Sequence, residues 1–116
     1  MDKNILKDKI VEILESKKAL DINVIDIEKV TIIADKFVVC TGTSKPHIQT
    51  LADELEEKLR DIGVRLLRKE GYENARWVLL DFGSIVVHIF ANDERGYYNL
   101  DKLWENEIIR QNKKGE

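Results

Sequence analysis

A chain of 116 residues, 43% hydrophobic and 35% charged, has the balance of one folded domain and not of a disordered polymer. No apolar run approaches the length of a bilayer span, which excludes a membrane-spanning role. The net charge of −3, with Lys and Arg interleaved among Asp and Glu, points away from a protein that mainly grips nucleic-acid phosphates. It permits a basic protein as partner. The opening Met1-Asp2-Lys3-Asn4 reads as neither a secretory nor a transit peptide. One cysteine, Cys40, allows no internal disulfide and suits a reducing cytoplasm; inside an apolar run it reads as a small buried hydrophobe.

In chain order, residues 4–18 carry Leu6, Ile10, Ile13 and Leu14 at helical spacing. Residues 23–28 alternate and favour β-branched side chains, as a strand does, and 37–41 is the near-continuous apolar run of an interior strand. The turn Thr41-Gly42-Thr43-Ser44 leads into a second helix, with Ser44 as cap and Pro46 in the first turn. Its stripe is Ile48, Leu51, Ala52, Leu55, Leu59 and Ile62, and Gly63 ends it. Residues 64–68 predict a third strand and 69–75 a polar loop. Asn92 can cap a short helical turn with acids behind it, 100–109 predicts a last helix, and 111–116 a frayed tail. The expected fold is a single α/β (α+β) domain over 1–110, with a mixed five-stranded sheet packed with helices.

The densest signal lies between Trp77 and Phe90. Gly83-Ser84 suits a type II′ turn with Gly at its first central position. That turn pairs Phe82 with Ile85, Leu80 with Val87 and Val78 with Ile89, a wholly apolar set that reads as core. The other face carries Trp77, Leu79, Asp81, Val86, His88 and Phe90, because side chains alternate along a strand. A water-facing side would be more polar than this. Either a helix covers the face or another macromolecule does. Tryptophan at the centre of an interface is often an energetic anchor.

Candidate chemistry is thin. The Gly42 turn stands where phosphates bind helix N-termini, but without a Walker lysine or a second glycine it reads first as a capped helix start. Asp81 is alone in its strand and 64–68 holds no acid, so Mg²⁺-assisted transfer lacks its convergent carboxylates. His47 and His88 have no Cys or Glu at zinc-ligand spacing. His88 reads as a hydrogen-bonded structural histidine before it reads as a catalytic one. No catalytic residue, metal site or cofactor is expected.

Several of these stretches together resemble one family. They are residues 34–44, Glu70-Gly71-Tyr72, residues 77–83 and 86–90, and Tyr98 to Trp104. They are similar to the ribosomal silencing factors, also known as the RsfS or Iojap family, over about residues 21–104. The resemblance implies a nucleotidyltransferase-like fold that lacks catalytic acids and a protein that is not an enzyme. It also implies binding to the large ribosomal subunit through its protein L-fourteen, at the face where the small subunit docks. Translation would then be repressed under nutrient limitation by blocking subunit joining in the cytoplasm. Members are also linked with large-subunit maturation. Carried onto this chain, Trp77 becomes the anchor, Leu79 and Phe90 its apolar surround, Asp81 and Glu70 the acidic contacts, and His88 and Tyr98 flanking contacts. Little direct nucleic-acid contact and no membrane contact are expected. Two other readings stay open: a small Mg²⁺-dependent nucleotidyltransferase using the Gly42 turn, and a homodimer made through the sticky hairpin.

Overall fold

Asp2 starts the first helix by capping it: one carboxylate oxygen accepts from the Asn4 N–H at 2.7 Å and from that of Ile5 at 3.4 Å. The computed structural model describes residues 2–32 and 34–92. They form helix α1 (Lys3–Ser16), strands β1 (Leu20–Asp26) and β2 (Lys36–Gly42), and helix α2 (Lys45–Asp61). Strands β3 (Arg68–Glu70), β4 (Trp77–Asp81) and β5 (Ile85–Ala91) follow. The sheet order is β1-β2-β5-β4-β3. Among the described strands only β2 and β5 run parallel; the other pairs are antiparallel. This is the mixed five-stranded α+β domain that the sequence predicts. No helix among the described residues is long and apolar enough to cross a membrane.

Both helices pack on one face of the sheet. Leu6, Ile10, Ile13 and Leu14 of α1 and Ile48, Leu51, Ala52, Leu55 and Leu59 of α2 are buried there. They meet Val38, Cys40, Val78, Leu80, Phe82, Ile85, Val87 and Ile89. Each fully buried Leu, Ile, Val or Phe among them contributes about 1.5–3 kcal/mol from area removed from water. Alternation sends the other set of β2, β4 and β5 side chains to the opposite face. There Ile25, Ile27, Ala34, Val39, Val86 and Phe90 form a second, smaller buried cluster.

The hairpin has the expected register, with Val78 opposite Ile89 and Leu80 opposite Val87. The Phe82 N–H donates to the Ile85 carbonyl across the turn, and Gly83 takes φ +93°, the left-handed region the turn needs.

Four expectations need correction. The first helix ends at Ser16, with Lys17 as its C-cap. The first strand is displaced toward the N-terminus and carries a bulge between Leu20 and Asn23. The third strand is Arg68–Glu70, where 64–68 was expected. Val64 and Leu66 do turn toward the helix-side core, but as a crossover segment whose first tie to β4 is the Leu67 N–H donating to the Asp81 carbonyl. Ile62 leaves the α2 stripe because the helix stops at Asp61 and the C-cap position swings it into solvent. The expected helix over 100–109, the tail 111–116, Tyr97, Tyr98 and Trp104 lie outside the described residues, and the turn expected from 92 runs out of them.

Candidate functional site

The face opposite the two described helices is organised around Trp77 and His88. The hairpin register sets Trp77 opposite Phe90, Leu79 opposite His88 and Asp81 opposite Val86. Parallel pairing brings β2 alongside, with Phe37 level with Val86 and Val39 level with His88. Four rings therefore share one surface. Trp77 stacks on Phe90 with centroids 5.2 Å apart, and Phe37 meets the His88 ring edge-on at 4.6 Å. The indole N–H of Trp77 donates to Nδ1 of His88 at 3.0 Å.

That bond settles the histidine's chemistry. Indole is only a donor, so Nδ1 carries the lone pair and the proton of the neutral ring sits on Nε2. The Nε2–H is buried and has no hydrogen-bond partner among the described residues. Burial pushes the His88 pKa down to about 4, since a charged ring there would lose its hydration. At neutral pH His88 is an uncharged brace for the indole.

The predicted contact residues divide by exposure. Trp77, Leu79 and Asp81 are half-buried and Glu70 is exposed, so each offers surface. Phe90 is 0% exposed and His88 only 4%, so neither presents the surface contact expected of it. Both support Trp77 from beneath. Tyr98 lies outside the described residues. The acidic edge is also less negative than expected. In β3, Glu70 pairs with Leu79 and Arg68 with Asp81, and Arg68 Nε lies 3.4 Å from a Glu70 oxygen. Asp81 accepts the Gly83 N–H at 2.9 Å, so it braces the hairpin turn as well as carrying charge.

Two members of this face escape a linear reading. Phe37 joins only because β2 pairs with β5, far away in sequence. Arg68 joins only because β3 begins where a strand was expected to end. Gly71 acts from behind: at φ +77° it brings its backbone against that of Trp77, and a Cβ there would stand 2.1 Å from the Trp77 carbonyl oxygen.

The Gly42 turn is a helix start. Ser44 Oγ accepts the His47 N–H at 3.2 Å, and the Thr43 N–H donates to His47 Nδ1 at 3.0 Å. With Nδ1 accepting, Nε2 of His47 holds the proton and donates to the Lys17 carbonyl at 2.8 Å. His47 thus ties the end of α1 to the start of α2. Among the described residues no group of acids, histidines or cysteines could hold a metal ion.

Fold and face together define a small α+β domain organised around an aromatic sheet surface. The family described as "Ribosomal silencing factor during starvation" matches residues 2–116. A ribosomal silencing factor from Halalkalibacterium halodurans is 45% identical over 94 residues, covering 81% of this chain and 80% of its own. A mouse protein named "Mitochondrial assembly of ribosomal large subunit protein 1" is 32% identical over 100 residues, covering 84% of this chain and 44% of its own. A crystal structure of a Chromobacterium violaceum protein superposes with a TM-score of 0.88 at 34% identity, covering 90% of this chain and 88% of its own. The chain belongs to the ribosomal silencing factor (RsfS) family. It is a ribosome-associated regulator of translation and not an enzyme.

Proposed function

We propose that this protein represses translation in the cytoplasm by seating the sheet face opposite its two described helices on protein L-fourteen of the large ribosomal subunit. The bound domain then stands where the small subunit would join. The mechanism is occlusion. It needs no chemistry and no reshaping of the subunit, only a face that holds. The observation that carries this reading is a half-buried Trp77, braced by His88 and Phe90 on a surface that neither described helix covers. Tryptophan set in a rigid apolar surround is the side chain most often found as an interface anchor. Leu79 extends the apolar patch, and Asp81 and Glu70 supply the charge that suits a basic ribosomal protein. The name of the mouse relative supports a second role in assembly of the large subunit.

The test is subunit joining. Purified large and small subunits are mixed with and without the protein and resolved on a sucrose gradient. Loss of the joined peak, with the protein co-migrating on the large subunit, is the expected outcome. An unchanged joined peak at saturating protein overturns the reading.

A further inference from the structure

The corner where α2 ends is basic although the chain as a whole is acidic. Residues 58–69 hold Lys58, Arg60, Arg65, Arg68 and Lys69 against Asp61 alone. Three of these cations are occupied: Lys69 lies 3.0 Å from Glu56, Arg68 3.4 Å from Glu70 and Lys58 3.8 Å from Glu54. Arg60 and Arg65 are exposed, and among the described residues neither has an ion-pair partner. Both line a surface groove of about 480 Å³ together with Gly63, Val64 and Leu66.

Acids flank Arg60, and two of them are engaged elsewhere. Glu56, which also lines the groove, is taken by Lys69, and Asp53 accepts the Tyr72 hydroxyl at 3.0 Å. Glu57 stands one turn before Arg60, roughly 60° from it around the helix, and lines a surface recess with Asp53, Glu56 and Arg60, so the Arg60 charge is partly screened. The helix dipole explains a cation in the last turn, such as Arg60. It does not explain Arg65, which lies beyond the helix in the crossover.

We propose that Arg60 and Arg65 clamp the phosphate backbone of large-subunit RNA. Guanidinium forks match phosphate oxygens two at a time, and two forks beside one groove fit successive phosphates of a strand. The corner adjoins the hairpin turn, with Leu67 lying 3.6 Å from where a Gly83 Cβ would be. Trp77 is at the other end of β4, roughly 15 Å along the strand. The anchor and the clamp therefore engage different parts of the partner: one grips protein, the other orients the domain on RNA. The acidic balance of the chain hides this local charge. The inference rests on the ribosomal reading above.

The test compares the native protein with Arg60→Gln/Arg65→Gln and with Lys9→Gln/Lys29→Gln, which removes equal charge elsewhere on the surface. Binding to purified large subunits is measured across a salt series, and binding to protein-free large-subunit RNA at low salt. The clamp variant should bind subunits about tenfold more weakly at low salt. Its slope of log affinity on log salt should be shallower by about 1.5, the share of two phosphates. It should lose RNA binding, while the lysine variant retains both. Equal affinity and slope for the clamp and lysine variants overturns the proposal and leaves the anchor reading intact. Weaker subunit binding without any loss on RNA identifies an acidic protein as the partner and also overturns it. Should the native protein fail on subunits, the anchor reading falls, and the RNA arm alone decides the clamp: arginine-dependent binding keeps it, and its absence removes it.

Discussion

The indole N–H of Trp77 and Nδ1 of His88, 3.0 Å apart, hold each other in one state: the indole in one orientation, the imidazole in one tautomer. An interface anchor is worth more when its rotamer is fixed before docking, because less side-chain freedom is lost on binding. Trp77→Ala should therefore weaken association with large subunits by about 2 kcal/mol or more, roughly thirtyfold, while the domain stays folded. Co-sedimentation at several protein concentrations measures this. An unchanged affinity would remove Trp77 from the interface.

The same pair makes stability depend on pH. His88 has an ordinary value near 6.5 in the unfolded chain and about 4 when folded. Between those limits the unfolded state binds the extra proton, so stability falls as pH is lowered. The contribution is complete above about pH 6.5, declines through the window, and is flat below about 4, a loss on the order of 3 kcal/mol. Urea unfolding at half-unit pH steps reads it. His88→Gln, which keeps an acceptor for the indole and does not titrate, should flatten that part of the curve.

Gly71 is the second control on the anchor. Gly71→Ala puts a Cβ 2.1 Å from the Trp77 carbonyl oxygen and forces alanine to φ +77°. Gly63→Ala meets only the backbone strain, at φ +88° with nothing within 4 Å. The second change should cost about 1 kcal/mol and the first clearly more, with a change in Trp77 fluorescence. Equal costs in urea unfolding would mean that the Gly71 loop yields easily and does not hold the indole.

Charge and structure can be separated at Asp81. Asp81→Asn keeps an oxygen to accept the Gly83 N–H while removing the charge; Asp81→Ala removes both. The asparagine variant should fold with near-native stability and bind subunits with a weaker salt dependence. The alanine variant should also lose about 1 kcal/mol of stability. If asparagine leaves the salt dependence untouched, Asp81 serves the turn alone.

Features that depend on neighbours in sequence were legible from it. The Gly83-Ser84 turn fixes the hairpin register, and Ser44, Pro46 and Gly63 mark the bounds of α2 by local backbone chemistry. Features that depend on distant pairing were not. Phe37 enters the aromatic face through a parallel partner that periodicity cannot name. The alternation of Val64 and Leu66 is the same whether the segment is a strand or a crossover, and only the contact of Leu67 with Asp81 decides it. Trp77 was recognisable as an anchor candidate, but the sealing of Phe90 and His88 depends on packing around them, which no spacing rule reports.

The parallel pairing of β2 with β5 also bears on how the chain is made. Lys36 finds its partner Ile85 only after everything between them has been synthesised, and β5, made last among the described strands, fills the middle of the sheet. A nascent chain stalled after α2 would expose one whole edge of β2, an apolar strand with open backbone donors and acceptors. Such a fragment invites strand addition by its neighbours. Truncations within the hairpin should therefore accumulate as inclusion bodies and not as smaller folded domains.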